Sequence, residues 1–141
     1  MSNFSTEVYY PCKIAIIHSP EVLCTDDIIA SLSVFKNIKC SIYTVPSIWE
    51  IPYVISHLQK PAYQSYTMPD AYLVLGKVDK STDAYCSVYD ALMKAQVDHS
   101  KPVVNGLTED GVEIDVQIIT QALLTSLITR NKILIDQKFN R

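Results

Sequence analysis

Arginine is nearly absent from this chain of 141 residues, occurring only at Arg130 and Arg141. With a formal net charge of −3 and no cluster of lysines, there is no basic patch for a nucleic-acid backbone, which demands concentrated positive charge. The four cysteines, Cys12, Cys24, Cys40 and Cys86, never fall at Cys-x-x-Cys spacing. His18, His57 and His99 do not cluster with them either, so a zinc site or a redox pair lacks its partners. At least three of the four thiols therefore read as core or interface packing. No apolar run approaches the ~20 residues of a membrane span. Met1 to Thr6 carries no basic cluster ahead of an apolar run, so no secretory signal is expected. These absences lead to the expectation of a soluble cytoplasmic protein with reduced thiols.

What remains is a globular composition. Hydrophobic residues make up 48% and charged residues 19%, which excludes a disordered tail protein. Short apolar runs alternate with amphipathic stretches, the pattern of βαβ units around a parallel sheet. Lys13–His18, Cys40–Val45, Ala71–Leu75 and Pro102–Leu107 read as strands. The first is an unbroken apolar run, as in a strand buried on both faces.

Helices are expected between the strands. Thr25 is placed as an N-cap ahead of Asp26 and Asp27, with Ile28, Leu32 and Phe35 on the buried face. Trp49–Lys60 reads as a second helix, with Pro52 tolerated in its first turn. Pro61–Pro69 reads as a loop. Ser81 or Thr82 caps a third helix reaching about Asp98, with Tyr85, Val88, Tyr89 and Leu92 inward. Asp115 caps a last helix to about Thr129, burying Ile118, Ile119, Ala122, Leu123 and Leu127. Beyond Arg130 the chain reads as either helical or frayed.

The expected fold is a three-layer αβα sandwich around a four-stranded parallel sheet, flavodoxin-like, with right-handed crossovers. It divides into an arm (1–12), one domain (13–130) and a tail (131–141). Ligands of such folds sit beyond the C-terminal ends of the strands. That directs attention to His18–Cys24, Val45–Glu50, Gly76–Ser81 and Gly106–Asp115.

The segment Val45-Pro46-Ser47-Ile48-Trp49-Glu50-Ile51-Pro52 resembles the signature V-P-G-A-F-E-I-P of the lumazine synthase family. Three further pieces follow that family's order. Lys13-Ile14-Ala15-Ile16-Ile17-His18-Ser19 is similar to its first strand with a terminal serine. Asp70-Ala71-Tyr72-Leu73-Val74-Leu75-Gly76 resembles D-A-V-I-A-L-G, and Lys101-Pro102-Val103-Val104-Asn105-Gly106 resembles K-P-V-I-F-G. The resemblance covers roughly residues 13–130.

It implies condensation of 5-amino-6-ribitylaminouracil with 3,4-dihydroxy-2-butanone 4-phosphate to 6,7-dimethyl-8-ribityllumazine, the riboflavin precursor. No cofactor and no metal are implied, and the chemistry rests mainly on proximity and orientation. The resemblance also implies a homo-oligomer, a pentamer or a shell of pentamers, with a site shared between neighbouring chains. A riboflavin synthase partner would follow from the same source.

By that resemblance Ser47, Ile48, Trp49, Glu50 and Ser19 hold the ribityl-pyrimidine, with Glu50 accepting from hydroxyls. The plainer reading of Glu50 is an acidic residue in a helix's first turn, and that of Trp49 is packing. Much of the family's machinery is missing. Its R-F-N or R-W-N after the serine is Pro20-Glu21-Val22 here, so the stacking ring is lost. Its G-x-V-I-x-G-x-T-x-H loop is replaced by Lys77-Val78-Asp79-Lys80-Ser81-Thr82-Asp83, without Gly or His. Lys77, Lys80, Ser81 and Thr82 remain as an alternative anion site at a helix N-terminus. A solvated connection is the plainer reading.

His18 lies at a strand end near the crevice, where a wedged structural role competes with a proton shuttle. Asn105 stands in place of a ring, and the Arg-bearing helix is deleted. Three readings follow: a divergent lumazine synthase with impaired activity, a non-catalytic member that assembles or binds a ribityl or flavin-like ligand, and an unrelated flavodoxin-like binding domain.

Overall fold

The run Ile14-Ala15-Ile16-Ile17 has no polar face to offer water, so it must lie inside a sheet covered on both sides. The computed structural model describes residues 11–60 and 68–139, with side chains to Asp136. Its strands are β1 Cys12–His18, β2 Ile38–Thr44, β3 Ala71–Val78 and β4 Val103–Glu109. They pair in parallel in the order β2-β1-β3-β4. The helices are α1 Thr25–Leu32, α2 Ile51–Leu58, α3 Asp83–His99 and α4 Val116–Phe139. The sandwich expected from the sequence is the observed fold.

Strand alternation sends β1 into two cores. Ile14 and Ile16 join Leu73 and Leu75 beneath α1 and α4. Ala15 and Ile17 join Tyr72 and Val74 beneath α2 and α3. None of these four β1 side chains is more than 1% exposed. Asp70 pins the start of β3 to β1: its N–H donates to the Lys13 carbonyl at 2.7 Å and its Oδ2 accepts from the Lys13 N–H at 2.9 Å. At the outer edge, Gln96 accepts from the Val103 N–H at 2.8 Å and Asn105 from the Leu107 N–H at 2.9 Å. Side chains thereby satisfy N–H groups of β4 that another strand would otherwise compete for.

Several sequence expectations need correction. Thr25 does not cap α1, because it is already its first residue and Cys24 precedes it with no side-chain cap. Phe35 falls after α1 ends at Leu32 and packs from the following turn. Tyr89 is 41% exposed, since Val88 and Leu92 take the inward side of α3 and the next residue lies ~100° away. In α4 the buried row is Thr120, Leu123, Leu124, Leu127 and Asn131. Ile118 and Ala122 lie off that row and are exposed. The last helix does not stop near Thr129 but runs to Phe139.

Other expectations hold. Thr82 caps α3 by accepting from the Tyr85 N–H at 3.2 Å, and Asp115 accepts from the Ile118 N–H at 3.1 Å at the start of α4. Cys12 is buried, Cys24 and Cys40 pack half-buried against the core, and Cys86 is exposed. The expected arm, apart from Pro11 and Cys12, and most of the Pro61–Pro69 loop lie outside the described residues. Among the described residues no helix is long and apolar enough to cross a membrane.

Burial pushes the Cys12 thiol from 9.0 up to about 12. The folded state thus holds this proton more tightly than the unfolded chain. The associated stability is complete below pH 9 and is lost as pH rises from about 9 toward 12. Burial also raises the Tyr72 hydroxyl from 10.0 to about 12, adding a second loss at higher pH. Thermal melts followed by circular dichroism from pH 7 to 11 should show the midpoint falling above about pH 9. Cys12→Ala should flatten the first part of that fall.

Candidate functional site

In a parallel sheet of order β2-β1-β3-β4, the crossover from β1 runs outward to β2 and that from β3 runs the opposite way to β4. Folds of this order place their ligand crevice beyond the C-terminal ends of the strands at that switch point, here between β1 and β3. Ser19 directly follows β1 there, and its N–H donates to the Leu75 carbonyl at 3.2 Å. Gly76 lies beside it on β3. A Cβ at Gly76 would meet Ile48 Cγ2 at 2.9 Å, Ser19 Oγ at 2.9 Å and Leu107 Cδ2 at 3.3 Å. Glycine is therefore what lets the Ile48 turn close down on the two strands. The structure thus brings Ser19 and Ile48 together around Gly76, whose role the sequence signalled only as a strand-ending residue.

The turn carrying Ile48 is a short 3₁₀ segment, Ile48–Glu50, that leads into α2. Ser47 is extended and caps it, its Oγ accepting from the Trp49 N–H at 3.3 Å. Glu50 closes a capping box: Oε2 accepts from the Ser47 N–H at 3.2 Å and from the Ser47 hydroxyl at 2.6 Å. Both bonds fall on Oε2, and Oε1 has no bonded partner among the described residues. Ile48 is half-buried and Ile51 fully buried, so these two side chains anchor the turn. Trp49 is 59% exposed, which corrects its assignment as packing. Tyr53, one turn further, is 66% exposed and stacks on His57 at 5.9 Å.

Ser19 Oγ is the unusual atom of the crevice. The residue is 2% exposed, yet this hydroxyl has no hydrogen-bond partner among the described residues. An orphaned buried hydroxyl costs about 1–3 kcal/mol unless something fills its valence.

His18 behaves differently. Its Nδ1 lies 2.8 Å from the Ser19 carbonyl, which can only accept, so Nδ1 carries the proton. Nε2 then accepts from the Thr44 hydroxyl at 3.2 Å. Nδ1 fixes the ring on its own segment and Nε2 ties it to β2, the wedged arrangement weighed from the sequence.

On the far side of Gly76, three of the four residues read as an alternative anion site are hydrogen-bonded within the chain. The Lys77 ammonium donates to Thr108 Oγ1 at 3.2 Å and to the Val112 carbonyl. Gly111, at φ +84°, makes the turn that brings Val112 back. Asp79 Oδ1 accepts from the Ser81 N–H at 3.0 Å and the Ser81 hydroxyl at 2.6 Å. Those two bonds lower the Asp79 carboxyl below its ordinary value. The Thr82 hydroxyl donates to the Asp79 carbonyl at 2.7 Å while capping α3. Lys80 is the looser member, its ammonium 6.0 Å from the centre of the Tyr85 ring. The carboxylate of Asp79 thus takes the two Ser81 donors that an anion at this turn would use. Sequence reading missed it, although an Asp two residues ahead of a Ser is the usual signal of such a turn.

Sheet order, crevice and helix flanks define a flavodoxin-like α/β domain with its candidate site at the switch point. The chain belongs to the 6,7-dimethyl-8-ribityllumazine synthase family, whose model matches residues 22–123, well over half of its length. That membership points to riboflavin biosynthesis. No curated protein matches the chain. Among the described residues no three His, Cys, Asp or Glu side chains gather as a metal centre.

The tightness at Gly76 gives a direct check. Gly76→Ala should force Ile48 and Ser19 apart and lower stability by about 1–3 kcal/mol, read from urea unfolding. An unchanged midpoint would mean that the turn is free to move away.

Proposed function

We propose that this family member binds a ribityl-pyrimidine at the β1/β3 crevice and condenses the family's two substrates slowly or not at all. The observation that carries binding is the orphaned, buried Ser19 Oγ beside Ile48 and Gly76. A polyol or pyrimidine polar atom would complete its valence. Glu50 Oε1 is available to accept a ribityl hydroxyl while Oε2 keeps the cap. Trp49 lies next in the chain with its ring in solvent, in a protein that has lost the family's stacking aromatic after Ser19.

Impairment follows from the other half of the crevice. Lys77 and Ser81 are committed within the chain, and Asp79 supplies the negative charge that phosphate would bring. Glu109 and Asp110 add negative charge at the end of β4. Losing two charge-assisted phosphate contacts, each about 1.5–3 kcal/mol, removes on the order of 10²–10⁴ in binding or rate. Loss of a general base removes about 10²–10⁴ more. We further propose a ring-shaped homo-oligomer, most simply a pentamer, with the crevice completed by a neighbour. Exposed Tyr53, Tyr89, Met93 and Val97 on α2 and α3 supply apolar area for such contacts. Light scattering that returned a monomer at micromolar concentration would defeat the shared site.

The chain has one tryptophan, so its fluorescence reports on Trp49 alone. Titration with 6,7-dimethyl-8-ribityllumazine should quench it saturably. Glu50→Gln retains a side chain able to cap, so it should weaken binding about tenfold while stability stays within ~0.5 kcal/mol. Glu50→Ala should lose the cap as well, at about 1 kcal/mol. No quenching, or equal affinity in Glu50→Gln, would leave Glu50 a capping residue and nothing more. For turnover, lumazine formation should stay within a few-fold of the uncatalysed condensation. Saturable turnover within tenfold of a typical ~10 s⁻¹ would overturn the impairment.

A further inference from the structure

At the opposite end of the sheet lies a second cleft, of about 830 Å³, between the entries to β3 and β4 and the outer face of α4. Its charged lining is Asp70, Lys101 and Arg130. The Asp70 carboxylate is already engaged at both oxygens: Oδ1 faces Arg130 Nη2 at 3.6 Å and Oδ2 holds the Lys13 N–H at 2.9 Å. Lys101 is half-buried, and its ammonium donates to the neutral Pro69 carbonyl at 2.7 Å. The lining thus carries two cations against one carboxylate, and the Lys101 ammonium, partly desolvated, is met by a neutral carbonyl. Loss of water lowers the Lys101 pKa, the effect that a nearby anion would reverse. Beyond the cations, α4 presents Ile133 and Leu134, which are 51% and 38% exposed.

We propose that this cleft binds a small amphipathic anion, a carboxylate or phosphate monoester on an apolar body. The head lies between Lys101 and Arg130, and the body covers Ile133 and Leu134. Charge and apolar surface lie side by side here, which favours an occupant carrying both over inorganic phosphate. This site is separate from the β1/β3 crevice, being formed at the N-terminal ends of the strands, and it does not depend on the function proposed for that crevice.

The test uses the full chain and the fluorescent probe 8-anilinonaphthalene-1-sulfonate, an anion on an apolar body. Saturable binding of one probe per chain is expected, displaced by octanoate but not by equal inorganic phosphate. Lys101→Met should weaken it at least tenfold, and Ile133→Asn, on a helix position that is 51% exposed, several-fold. Glu50→Gln, at the other end of the sheet, should bind as the parent does. Absence of saturable binding, or parental affinity in either cleft variant, would overturn the proposal. So would displacement by phosphate as readily as by octanoate.

Discussion

The burial of β1 between β2 and β3 is the constraint on which the rest depends. A strand with apolar side chains on both faces needs two covering layers, and the chain supplies α1 and α4 for one, α2 and α3 for the other. Each fully buried aliphatic side chain contributes about 1.5–3 kcal/mol, and Ile14, Ile16 and Ile17 carry that contribution into both cores. Because the chain leaves β1 toward β2 and leaves β3 toward β4, the switch point falls between the C-terminal ends of β1 and β3. The place where Ser19 meets Gly76 is thus a consequence of where the apolar run lies in the chain.

The strands and their order of appearance were legible because an unbroken apolar run and a turn residue leave little choice. Ile14–Ile17 and the caps at Thr82 and Asp115 read correctly for that reason. The faces of α3 and α4 were less legible. Both helices carry apolar residues around much of their circumference, so periodicity alone did not separate Leu124 from Ala122 or Val88 from Tyr89. The sheet's central covering decides that, and it is a long-range fact.

At the site, the Ser47–Glu50 helix entry was legible through the family resemblance, while the orphaned Ser19 hydroxyl and the contact of Ile48 with Gly76 were not. They depend on how closely three separate segments approach. Trp49 shows the same limit from the other side. An aromatic between two isoleucines reads as core, but the 3₁₀ turn rotates it outward and leaves Ile48 and Ile51 to anchor.

The two ends of the sheet treat charge in opposite ways. At the C-terminal end, polar groups that could meet a ligand anion are satisfied from within: Asp79 takes the Ser81 donors, and Val112 and Thr108 take the Lys77 ammonium. A carboxylate in that position is tethered by its own chain, so an incoming phosphate would have to displace it against a high effective concentration. Residual negative charge at Glu109 and Asp110 works in the same direction. At the N-terminal end the Asp70 carboxylate meets Arg130 and a backbone N–H, while the Lys101 ammonium has a neutral carbonyl as its partner. The proposed anion cleft between Lys101 and Arg130 thus lies where cations outnumber carboxylates in the lining, at the end of the sheet opposite Lys77 and Ser81.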